Sequence, residues 1–223
     1  MSIIPHYIHI IKPKLKHIYL SFDDEGTLVI KSPKISQSHI EKLLLKKAAW
    51  ITNARKKFDA KKGKSIDFKG IAELYFLGEA HILDLVPYNK KRTKLTFDGE
   101  TFTLYYSTWD KKIFQKHIDA FYKQEITQYL PKLVAQWAET MQVDFQSIRF
   151  RKTKRQWGSC SAKNDLSFNT MLMKLPLPII EYVVVHELSH ILHKHHQKAF
   201  WDCVKSYLPN YSMLVTQLKN FTT

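Results

Sequence analysis

Residues 183–201 read VVVHELSHILHKHHQKAFW, with five histidines in eleven positions directly behind three valines. His186, Glu187 and His190 make the pattern H-E-x-x-H. On an α-helix, residues four apart lie about 40° from one another and one turn up, so both imidazoles can face a single cation. Glu187, about 100° round from His186, then reaches a water activated by that ion. The chemistry open to such a set is metal-assisted hydrolysis.

A catalytic zinc takes three protein ligands and leaves one position open. His193, His195 and His196 compete for the third place. His193 shares the helical face, but a straight helix would put its Cα about 10 Å beyond that of His186. His196 can turn back only if the helix ends between the two. No Gly or Pro marks that end, so His195 is the expected turn residue, histidine being one of the non-glycine types enriched in the left-handed region. The spacing favours His196 as third ligand and leaves His193 as a neighbour or surface residue. His195 suits the role least.

The helix that carries the motif must bury its other flank, and Val184, Val185, Leu188, Ile191 and Leu192 supply an apolar side. Around it, Arg155, Asn169 and Tyr182 are candidates to contact substrate or a developing oxyanion. The run 165–173 alternates and could form the rim of a cleft that pairs with an extended peptide; ordinary sheet gives the same pattern. In WGSC (157–160), Gly158 suits a tight turn and Trp157 suits packing. Cys160 reads as a small buried thiol rather than a nucleophile, because no Cys–His spacing specifies catalysis. Phe200 and Trp201 are expected to pack their helix against the core.

The 223 residues are 44% hydrophobic and 13% aromatic, enough for a core. No window approaches a membrane span, and the N-terminus reads as mature protein, not a signal peptide. Cys160 and Cys203 form no disulfide framework, which suits the cytoplasm. Thirty-five Lys and Arg against twenty Asp and Glu give a formal +15, which favours polyanions by long-range attraction. Residues 18–31 predict a hairpin around DDEG, residues 36–58 a helix capped by Ser36, and 61–64 a charged linker. Strand patterns follow at 73–86 and 93–106, with a turn at Asp98-Gly99. A helical stretch from 109 to about 141 should break or kink at Pro131. Extended runs at 146–154 and 164–174 flank WGSC, and helices follow from Pro178. The fold class is α+β: a β-rich N-terminal part over 1–108 with one helix, then a catalytic part over 109–223 with a short sheet plus helices.

TKRQWGSCSAKNDLSFN at 153–169, YVVVHELSH at 182–190 and H-x-x-x-F-W at 196–201 together resemble the YgjP-like predicted metal-dependent hydrolases, a zincin-type metallopeptidase family allied to the SprT-like and WLM groups. LVIKSP (28–33) and KKAAWI (46–51) extend the resemblance upstream. It implies a zincin-like domain with an active-site HExxH helix, His186, His190 and His196 as zinc ligands, and Glu187 as the catalytic carboxylate. Relatives often carry Pro-Asn before the third histidine, where this chain has Lys194-His195. The spacing also equals that of metzincins, but His193 stands at their glycine position.

The leading expectation is therefore a zinc-dependent peptidase acting on peptide or protein. A metal-dependent nucleotide or phosphate-ester hydrolase is the alternative, supported by the basic run RFRKTKR at 149–155 and the +15 charge. A nucleic-acid-associated zinc protein is a third. A purely structural zinc normally has four protein ligands and commonly uses cysteine, so the glutamate beside His186 argues for catalysis.

Overall fold

Residues 5–23, 26–59, 66, 68 and 70–222 are described by the computed structural model, and the chain divides into one unit ending at Ser65 and a second starting at Ile66. The first unit holds strands β1 (Tyr7–Ile11), β2 (Tyr19–Phe22) and β3 (Leu28–Ser32) in the order β1-β3-β2. β2 and β3 form the expected antiparallel pair, with Leu20 opposite Ile30 and Phe22 opposite Leu28. Asp24 and Glu25 of its turn lie outside the described residues, as does the 61–64 linker.

The Ser36 hydroxyl caps α1 (Gln37–Lys46) by accepting from the His39 N–H, satisfying a donor the first turn leaves free. The expected single helix is two. At Lys47 the backbone leaves helical geometry (φ −100°, ψ 8°) before α2 (Ala48–Asp59) begins. Leu28, Ile30, Ile40, Leu44 and Ile51 form this unit's own core.

In the second unit β4 (Glu73–Phe76), β5 (Glu79–Pro87), β6 (Lys94–Phe97) and β7 (Phe102–Tyr106) make a sheet in the order β4-β5-β7-β6. The 73–86 run is two strands, because Leu77 and Gly78 both take positive φ and reverse the chain. Asp110 caps α3 (Lys111–Met141), accepting from the Lys112 and Ile113 N–H groups. Pro131 lies inside this helix without ending it. The expected boundary at 108/109 falls within one unit. Phe102 and Leu104 on β7 share a core with Phe114, Ile118 and Tyr122 on α3, so the strands before 109 belong with the helices after it.

β8 (Ser147–Arg151), β9 (Gly158–Cys160) and β10 (Asp165–Asn169) make a small sheet in the order β8-β10-β9. A 3₁₀ turn (Thr170–Lys174) leads to α4 (Leu177–Leu192), α5 (Lys198–Tyr207) and α6 (Tyr211–Leu218). α4 is the spine of the unit, with Ile180, Val184, Val185 and Leu188 fully buried. Among the described residues no helix is long and apolar enough to cross a membrane.

Candidate metal centre

Two prolines open α4, Pro176 at its cap and Pro178 inside its first turn, where a missing N–H costs nothing. The apolar flank expected from the sequence holds for Val184, Val185 and Leu188, but Leu192 is exposed at the helix end. The helix stops where the third ligand needs it to. His193 turns extended (φ −132°, ψ 99°), and its N–H closes the last turn on the Ser189 carbonyl. The expected turn residue, His195, is not left-handed; among the described residues Leu77, Gln142 and Asn164 are the non-glycine residues with positive φ. An extended step at His193 reverses the chain without αL geometry. Lys194 then ties the returning segment to the β9–β10 turn, donating to the Ser161 carbonyl at 3.2 Å and to Asn164 Oδ1 at 2.7 Å.

That reversal brings the rings of His186, His190 and His196 together. One nitrogen from each lies within 4.8 Å of the others, and the Nε2 atoms of His186 and His196 are 3.0 Å apart. Nitrogens sharing a zinc ion at its usual bond length stand roughly 3.3 Å apart, so the spacing fits. The donor set fits too. Burial, and after it the neighbouring His190 and His196, push His186 down to about 3; burial also lowers His190. Both are thus held neutral, the form that binds a metal.

The outer nitrogens are also engaged. His190 Nδ1 donates to the His193 carbonyl at 3.1 Å, which leaves its Nε2 lone pair free. His186 Nδ1 meets the Tyr182 hydroxyl at 3.2 Å. Tyr182, expected as a substrate contact, is buried, with its hydroxyl on the His186 ring.

Beneath the cluster lies Phe200. It is fully buried and its ring centroid is 4.9, 4.6 and 4.7 Å from those of His186, His190 and His196. Trp201 stacks on His196, and Tyr211 stacks on Trp201. The sequence suggested only that Phe200 and Trp201 pack; the F-W pair four and five positions after His196 was the available signal for this apolar floor. His195 is exposed, and His193 contributes its carbonyl rather than its ring.

Glu187 points away from water, 6% exposed, and burial pushes its carboxyl up to about 8. Gly158 is not in a tight turn. It opens β9, with no left-handed φ. Asn169 is ruled out as an oxyanion donor because its amide nitrogen is already committed to the Thr153 carbonyl, the Thr153 hydroxyl and the Gln156 carbonyl. It pins the 153–156 loop. Arg155 stands exposed on that loop. Within the 165–173 run β10 has no open edge for a peptide, since it pairs with β8 on one side and β9 on the other; β8 and β9 are the edge strands of this sheet. Burial pushes the Cys160 thiol up, which disfavours the nucleophilic thiolate.

A centre of this kind suits hydrolysis assisted by a divalent metal. The chain belongs to the YgjP-like, metallopeptidase domain family, whose sequence model matches residues 16–221. Among curated proteins it is similar to a UTP pyrophosphatase of Escherichia coli (strain K12), 36% identical over 59 residues, which are 26% of this chain. The match spans only 35% of that relative's length. Among solved structures it is similar to the metallopeptidase zymogen of Pyrococcus abyssi abylysin, with 18% identity and a TM-score of 0.37 over 42% of this chain and 98% of that one. The zymogen of Methanocaldococcus jannaschii jannalysin is similar at 18% identity and a TM-score of 0.35, over 39% of this chain and 93% of that one.

Proposed function

We propose that the protein is a zinc-dependent peptidase or amidase in which Glu187 moves the proton. One observation carries the reading: three imidazole nitrogens converge within 4.8 Å, and the residue directly after the first of these histidines is a buried carboxylate outside the trio. Zinc held by His186, His190 and His196 would supply Lewis acidity toward a carbonyl and make water acidic near neutral pH. Burial alone raises the Glu187 carboxyl to about 8, and a cation held by the three histidines would favour its ionised form. That carboxylate takes the proton of the attacking water and returns it to the leaving amine. Tyr182 and the His193 carbonyl keep the ligand rings aimed. An extended substrate backbone could add along an edge of this sheet, β9 being the edge strand that carries Gly158 against Glu187.

Glu187→Gln tests this directly. The amide keeps the side chain's size but accepts no proton, so zinc content should match the parent while hydrolysis of fluorescein-labelled casein falls at least a hundredfold. Retained hydrolysis would refute the proton-transfer role.

A second reading is hydrolysis of a nucleoside triphosphate. The name of the curated relative favours it, as does the basic run Arg149, Arg151, Lys152, Lys154 and Arg155, where guanidinium groups could hold phosphate oxygens. Pyrophosphate release from UTP, measured beside casein cleavage on the same zinc-loaded sample, separates the two.

A further inference from the structure

Glycine inside a strand marks either unusual backbone conformation or close approach of another group. At position 158 the first explanation fails. Gly26, Gly78 and Gly99 have positive φ, and Gly158 does not, so alanine could adopt its backbone. The second explanation holds. A β-carbon at 158 would stand 2.6 Å from Glu187 Oε1, 2.7 Å from its Cγ and 2.9 Å from its Cδ. Such separations are well inside van der Waals contact.

Neither wall can retreat. Gly158 is paired across the sheet with Phe168, which is 1% exposed, and the chain just before it is fixed by the Asn169 N–H donating to the Trp157 carbonyl at 2.8 Å. On the facing helix, Val184 and Leu188 are fully buried. What yields to a methyl group is the Glu187 side chain itself.

We infer that Gly158 is a positioning residue, kept free of a side chain so that β9 presses directly on Glu187 and sets where its carboxylate lies relative to the three histidines. The inference rests on the proposed role of Glu187. Through this contact the WGSC segment acts on the reaction by shape, with Cys160 taking no chemical part.

A double-mutant comparison tests it without any substrate. In metal-free protein, Gly158→Ala should lower the Tm by about 3–8 °C through overpacking. In a Glu187→Ala background the same change should cost nothing or raise the Tm by about 1–3 °C, because the methyl fills vacated space and stiffens the unfolded chain. An equal loss in both backgrounds would mean that Gly158 serves the strand and not the carboxylate, and would overturn the inference, as would the absence of any loss in the parent.

With zinc bound, Gly158→Ala should keep one metal per chain and nearly the parent's KM for fluorescein-labelled casein. Its kcat should drop roughly a hundredfold, the scale expected for an ångström of misplacement. Parent-like kcat in Gly158→Ala, with Glu187→Gln inactive, would sink the positioning claim alone. Activity in Glu187→Gln would sink the proton-transfer role instead, and the Tm comparison would still decide whether the contact exists.

Discussion

His190 owes its orientation to a backbone atom, the His193 carbonyl, and His186 owes its own to a phenol four residues earlier. These two contacts separate the five clustered histidines by role. His196→Ala removes a ligand and should reduce zinc affinity by orders of magnitude, whereas His193→Ala keeps the carbonyl and should change it less than about threefold. Equal losses in a chelator competition would mean that His193 binds through its ring. Tyr182→Phe removes the hydrogen-bond partner of the His186 outer nitrogen, and such partners of a metal ligand are worth 10–100-fold in affinity; unchanged affinity would reduce Tyr182 to packing. The convergence of His186 and His190 was legible because H-E-x-x-H fixes two rings by helical geometry alone. The duties of Tyr182, Asn169 and Gly158 were not. A hydroxyl, an amide and a missing side chain acquire meaning only from what the fold sets against them, and Gly158 and Glu187 are 29 positions apart in the chain.

Elements were legible where one periodicity ran unbroken. The α4 helix followed from its valines and the β2–β3 pair from its alternation, but local pattern missed the helix break at Lys47 and the two-sided pairing of β10. The 3₁₀ turn after β10 carries a further consequence. It places the Lys174 amine over the Tyr122 ring of α3, 5.8 Å from its centroid, in the neighbourhood of Lys152 and Asp119. Burial first, and the Lys152 charge second, lower Lys174 to about 8 from 10.5, while Asp119 acts the other way. The unfolded chain therefore binds more protons than the folded one between pH 8 and 10.5, so stability attributable to this group rises with pH across that window. Below pH 8 the cost of burying the ammonium is fully present, on the order of 3 kcal/mol. Denaturant titrations of the parent and of Lys174→Met, compared from pH 7 to 10.5, should show the variant's advantage shrinking as pH rises. An advantage independent of pH would place the ammonium in water.

At the scale of the molecule, the sequence-based boundary at 108/109 failed for a physical reason. Strand patterns give way to helical ones there, but a change of periodicity is not a change of core. Phe102 and Leu104 are fully buried only because Phe114, Ile118, Tyr122 and their neighbours on α3 share their cluster. The metal centre sits in that same second unit, built from α4, its return loop and the start of α5. Lys194, the His193 carbonyl and the Trp201 stack already hold the loop 193–197. An ion shared by the three imidazoles would add to that, so metal and folded unit would stabilise each other by linkage. At a free zinc concentration a thousand times the dissociation constant, binding adds about 4 kcal/mol, which for a chain of this length corresponds to roughly 8–16 °C in Tm. Calorimetry before and after chelation should show a fall of that size in the parent and almost none in His186→Ala, which cannot assemble the site. A parent Tm indifferent to both chelator and added zinc would mean that the histidines, though converged, hold no ion.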